Sequence, residues 1–116
     1  VDDSPIVRDL VAELLSAAGL AVTQAEDGEA ALSALDRSSY DVIVSDVEMP
    51  RVDGLELLRR VRSRSSETPF VLVTTRGSAE DRRRATELGA SGYVVKTDFH
   101  EGDLVSAVLR LVGEAP

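Results

Sequence analysis

Short apolar runs alternate with helical stripes along the chain. Ser4-Pro5 pairs an N-cap residue with a first-turn proline, and Ile6, Leu10, Val11, Leu14 and Leu15 then recur at helical spacing until Gly19. Leu20 to Ala25 reads as a strand, and Gly28 to Arg37 as a helix with Ala30, Ala31, Leu32 and Leu35 inward. Asp41 to Ser45 is a continuous apolar strand of the kind covered on both faces. Gly54 opens a third helix through Leu55, Leu58 and Val61 to about Arg64. Pro69 to Thr74 is a strand, Ser78 or Ala79 to Leu88 a charged helix closed by Gly89, and Tyr93 to Val95 a short strand. A last helix spans Asp98 to Val112, with Leu104, Val105, Val108, Leu109 and Val112 as its apolar face.

Alternation of strand and helix predicts an α/β domain whose parallel sheet carries helices on both faces, joined by right-handed crossovers. The expected arrangement is flavodoxin-like: five strands in the order 2-1-3-4-5. Val1 supplies only the last step of the first strand, against the about 5–6 residues a strand usually has. Residues 1–116 therefore read as one domain with a truncated first strand, taken from a longer polypeptide.

Composition narrows the partners. A formal net charge of -8 repels duplex DNA and anionic membranes, so neither is expected as a partner of this domain. The absence of cysteine removes thiolate metal sites and thiol nucleophiles and fits a cytoplasmic protein. No apolar stretch approaches the length of a membrane span.

The chemistry lies at the strand ends. Asp2 and Asp3 follow Val1, Asp46 follows the third run, Thr74 ends the fourth, and Lys96 follows the fifth. In an open parallel sheet these ends share one edge, where ligands bind. Three carboxylates at close range disfavour joint ionisation, and a hard divalent cation resolves the conflict. Mg²⁺ fits, because it prefers oxygen ligands, keeps several waters and is often held by one or two carboxylates plus a phosphate. The single histidine, His100, lies beyond Lys96 in sequence. Lys96 offers a point charge and Thr74 a hydroxyl to a phosphoryl group, so Asp46, at the tip of the central strand, is the candidate nucleophile towards phosphorus. Each residue alone is ordinary for a strand end. Their conjunction on one edge carries the reading.

Asp2-Asp3, the run Asp46-Val47-Glu48-Met49-Pro50-Arg51-Val52-Asp53-Gly54, Thr74 with Lys96 22 residues later, and Gly89-Ala90 together resemble the receiver domains of two-component response regulators, the CheY-like family. The resemblance covers the whole chain. It implies that Asp46 is the phosphoacceptor, Asp3 a direct Mg²⁺ ligand, Asp2 a largely water-mediated one, and the Glu48 carbonyl a backbone ligand. It further implies that Thr74 and Lys96 bind the phosphoryl group and that Thr74 and Tyr93 act as switch residues. The phosphodonor would be a histidine kinase, in another chain or the same one. The output would be a protein partner at the face of the fourth helix, fifth strand and fifth helix. Such a domain is a phosphorylatable signalling module that promotes its own phosphorylation and dephosphorylation, not a turnover enzyme.

Two positions depart from the pattern. Thr97 stands where the family usually has a proline, and a cis bond before a non-proline costs about 2.5–4 kcal/mol, so a trans peptide is expected. Thr75 replaces a usual small residue and narrows access to Thr74. The stretch Val95 to Leu104 looks like receivers fused to chemotaxis-type histidine kinases. Arg82-Arg83-Arg84 reads as a solvated helix face, and Glu48 and Arg76 as an exposed pair that gates water. The enzymatic alternative is a phosphatase or phosphotransferase of the haloacid dehalogenase type. That class carries Asp-x-Asp at the nucleophile, whereas this chain has Asp46-Val47-Glu48.

Overall fold

In the computed structural model, three parallel strands stand side by side in chain order, each preceded by a helix. The structure describes residues 1–64, 66–75, 77–95 and 101–113, the first two of the last stretch by backbone alone. The elements are α1 (Pro5–Ala17), α2 (Gly28–Arg37), β1 (Ile43–Asp46), α3 (Gly54–Ser63), β2 (Phe70–Thr74), α4 (Ala79–Glu87), β3 (Gly92–Val95) and α5 (Glu101–Leu111). Strand order is β1-β2-β3, with Asp46 opposite Val73 and Thr74 opposite Val95.

Alternate residues of the strands feed two cores. Ile43, Phe70 and Leu72 pack with Ala31, Leu32, Leu57, Leu58, Val61 and Ala85 of α2, α3 and α4. Val71 and Val73 pack on the other face with Leu15 of α1 and Leu104 and Val108 of α5. Side chains alternate across a strand, so a continuous apolar run serves both layers. The helices start where side-chain caps satisfy their free amides: Ser4 accepts from Val7, Asp27 from Ala30, Asp53 from Glu56, and Ser78 from Asp81.

Two expectations need correction. The five-stranded sheet is a three-stranded one among the described residues, and Leu20 to Ala25 is not a strand. Val1 does make one parallel step beside β1: its amine donates to the Val44 carbonyl at 2.6 Å, and its own carbonyl accepts from Asp46 at 2.9 Å. Asp2 then donates to the Ala25 carbonyl at 3.1 Å. A strand needs a partner ladder, and along most of its length the 20–25 segment faces a cleft of about 570 Å³ lined by Val11, Leu15, Val22, Val44 and Val73 among others.

The second correction concerns α1, where Ile6 is 81% and Leu10 45% exposed. The buried stripe runs through Ala12 and Leu15, with Val11 partly buried beside it, so the helix is rotated away from the expected face. The expected start of the last helix at Asp98 lies outside the described residues.

Candidate functional site

Asp46 is the last residue of β1 and Thr74 the last of β2, and the register sets these ends side by side. Both are buried, Asp46 at 6% and Thr74 at 0% exposure, although each is polar. Burying a carboxylate at a strand tip is costly, and Asp46 is kept there beside Glu48, with which it shares a hydrogen bond.

Asp2 and Asp3 join Asp46 across the step made by Val1. Asp2 is buried and Asp3 exposed, and one carboxylate oxygen from each of the three lies within 4.8 Å of the others. The Asp2 carboxylate also accepts the Ser4 amide at 2.9 Å, which ties the acid pair to the start of α1. Arg8, one turn further on, donates to the Asp2 carbonyl at 2.8 Å and to Gln24 at 3.2 Å. The donor set is three carboxylates with no nitrogen or sulfur ligand, which suits a hard divalent cation. The cluster could hold a metal.

The loop after Asp46 is held tightly. Gly54 donates to the Val47 carbonyl at 2.9 Å, and Val47 donates to the Val73 carbonyl at 3.0 Å. Arg51 adopts φ 64°, in the left-handed region that is unusual for a non-glycine, and its guanidinium reaches Asp27 at 3.3 Å.

Glu48 comes back over this loop to the end of β2. Its carboxylate accepts hydrogen bonds from the Thr74 hydroxyl at 2.6 Å and the Thr75 hydroxyl at 3.0 Å, both on the same oxygen. Burial pushes the Glu48 carboxyl up, but hydrogen bonds from Thr74, its own amide, Thr75 and Asp46 outweigh that and hold it below its ordinary value. Tyr93, half-buried on β3, has its phenol pushed up by burial and by the charges of Asp81 and Glu48, while the Thr74 hydroxyl and Arg82 oppose the shift. The Arg82 guanidinium lies 5.1 Å from the centre of the Tyr93 ring. Arg82, Arg83 and Arg84 are all exposed, as a solvated face requires.

Asp2, Asp3, Asp46, Glu48, Thr74 and Tyr93 thus gather at one end of the sheet. Lys96, Thr97, His100 and Arg76 lie outside the described residues, so the lysine's role, the 96–97 peptide and the Glu48–Arg76 pair are untouched by this geometry. Two participants escaped the sequence reading. Arg8 carried a signal, since a basic residue one turn into the helix after an acid pair can fold back on that pair's backbone. For Thr75 it is the hydroxyl's role that the sequence does not signal, since only its bulk is expected to matter there.

A model of the response regulator receiver domain family matches residues 1–109. The chain is 39% identical over 113 residues to a gliding motility regulatory protein of Myxococcus xanthus, covering 96% of this chain and 14% of that relative. It is 40% identical over 112 residues to the transcriptional regulatory protein CpxR of Escherichia coli K12, covering 97% of this chain and 47% of that protein. The chain therefore spans less than half the length of either relative. Among solved structures it resembles the chemotaxis protein CheY4 of Vibrio cholerae, with 37% identity, a TM-score of 0.88, and coverage of 95% of this chain and 92% of that one.

Proposed function

The chain belongs to the response regulator receiver domain family, and from that premise we propose that Asp46 takes a phosphoryl group from a phosphohistidine of a histidine kinase. A carboxylate oxygen of Asp46 attacks phosphorus, the N–P bond to imidazole breaks, and an aspartyl phosphate forms. The observation that carries this reading is the gathering of buried Asp46, the Asp2–Asp3 pair and the Thr74 hydroxyl at adjacent strand ends.

Asp3 and Asp46, with Asp2 behind a water and the Glu48 carbonyl, would hold Mg²⁺. When bound, the ion offsets the charge of the carboxylates and of the incoming phosphoryl group. Thr74 would donate to one phosphoryl oxygen and Lys96 would neutralise another. Tyr93 and Thr74, in contact with each other's surroundings, would carry the change to the face of α4, β3 and α5, where a protein partner reads it. We read the domain as a signalling module rather than a turnover enzyme, working in the cytoplasm without contacting nucleic acid or membrane itself.

The relatives leave the output open between transcription and motility. The chemotaxis-type kinase fusion rests on the stretch Val95 to Leu104 alone, and the Myxococcus xanthus regulator, of which the match spans 14%, is a much longer protein than this domain. Residues 1–116 are read accordingly as one receiver domain of a larger protein.

The test is binding of beryllofluoride with Mg²⁺, a phosphoryl mimic, followed by fluorine NMR. A bound signal lost in Asp46→Asn is expected. Steady turnover of p-nitrophenyl phosphate with no bound signal would favour the haloacid dehalogenase alternative instead.

A further inference from the structure

Resting on the phosphoacceptor reading above, we propose that Thr75 and Glu48 form a latch that occupies the Thr74 hydroxyl, so that the latch must open before a phosphoryl group can use that hydroxyl. A threonine hydroxyl carries a single proton to donate. In this structure Thr74 directs it to the Glu48 carboxylate at 2.6 Å, within the short range typical of a hydroxyl bonded to an ionised acceptor. The same carboxylate oxygen is also held by Thr75 at 3.0 Å. Thr74 is fully buried and Glu48 half-buried, so the bond is shielded from water, while Thr75 is exposed and closes the arrangement from outside. Thr74 cannot donate to Glu48 and to a phosphoryl oxygen with the same proton. The carboxylate sits where an anionic oxygen is to be received, and Thr75 is the residue that fastens it there. Thr75 acts through Glu48, which makes it a positioning residue whose identity sets the rate of phosphoryl gain.

A hydroxyl-held latch is distinguishable by experiment from an effect of the Glu48 charge alone. Phosphorylation by acetyl phosphate is followed at saturating Mg²⁺ in the parent and in Thr75→Val, Thr75→Ser, Glu48→Ala and the double variant Thr75→Val/Glu48→Ala. Thr75→Val keeps every charge and the Thr74 hydroxyl, yet should react roughly three- to tenfold faster, the range for losing one modest hydrogen bond. Thr75→Ser should stay at the parental rate. Glu48→Ala should be faster still, and adding Thr75→Val to it should bring no further gain, because the latch is already gone. Mg²⁺ affinity, measured separately by titration, should be unchanged in Thr75→Val. If the parent is phosphorylated on Asp46 and Thr75→Val reacts no faster, or its gain persists in the Glu48→Ala background, the latch is overturned and the phosphoacceptor reading stands. If the parent takes no phosphoryl group at Asp46, both are overturned.

Discussion

A side-chain carbon on Gly54 would fall on the carbonyl oxygen of Asp46, with the Val47 Cα and the Asp46 carbonyl carbon close behind. The start of α3 therefore packs directly on the backbone of Asp46. Where the backbone suits any residue, Gly→Ala ordinarily stabilises by about 0.4–1 kcal/mol, since it reduces the conformational freedom of the unfolded chain. Gly54→Ala should invert that sign and cost about 1–3 kcal/mol, as overpacking does, because backbone rather than a side chain must yield. It should also slow phosphorylation by moving Asp46. The nearest atoms to a side-chain carbon at Gly28 belong to the buried Val52, chiefly its side chain, so Gly28→Ala should be milder. Urea midpoints of the two variants check the order, and an unchanged midpoint for Gly54→Ala would show that the loop relaxes freely.

On the proposed reading, the acid cluster trades stability for a metal. With three carboxylate oxygens within 4.8 Å, removal of the exposed Asp3 relieves repulsion without opening the core. Asp3→Asn should raise the thermal midpoint of the metal-free domain and weaken Mg²⁺ by at least about tenfold, the lower end of what even an outer-sphere partner is worth. Calorimetric titration with Mg²⁺ checks the second part. Equal affinity in the variant would place the metal elsewhere.

In a chain whose first residue is Val1, stability should rise with pH through the near-neutral range. Burial is the main cause that lowers the Val1 amine from 8.0 to about 6. Between those values the unfolded chain binds more protons than the folded one, so unfolding becomes harder as pH rises from 6 to 8. The penalty is full below 6 and relieved above 8, on the order of 2–3 kcal/mol in all. An N-acetylated chain keeps an N–H for the Val44 carbonyl, carries no titrating amine, and should lack this slope. Parallel pH profiles of the two forms over that window would refute the assignment.

Much of the fold was legible because local signals agree with the tertiary arrangement. Ser4, Asp27, Asp53 and Ser78 cap helices as their residue types suggest, and Gly89, at φ 101°, ends the α4 turn in a conformation that side chains resist. The strand tips at Asp46 and Thr74 were legible for the same reason, since apolar runs with a polar end admit few alternatives. The strand expected at Leu20 to Ala25 does not form among the described residues, where the backbone hydrogen bond from Asp2 to Ala25 stands in place of a ladder. The α1 face was misread because Ile6 and Leu10 share the apolar spacing of Val11 and Leu15 but sit beyond the edge of the core. Long-range hydroxyl contacts such as Thr75 to Glu48 depend on loop geometry across two strand ends, and spacing does not encode them.

The most direct test of the account is the site of Mg²⁺-dependent phosphorylation. Treatment with acetyl phosphate and Mg²⁺, borohydride trapping of the acyl phosphate and peptide mapping should locate one modified residue, Asp46, with no modification when Mg²⁺ is withheld or when Asp46→Asn is used. Undiminished incorporation in Asp46→Asn, or modification mapped to another residue of the parent, would contradict it.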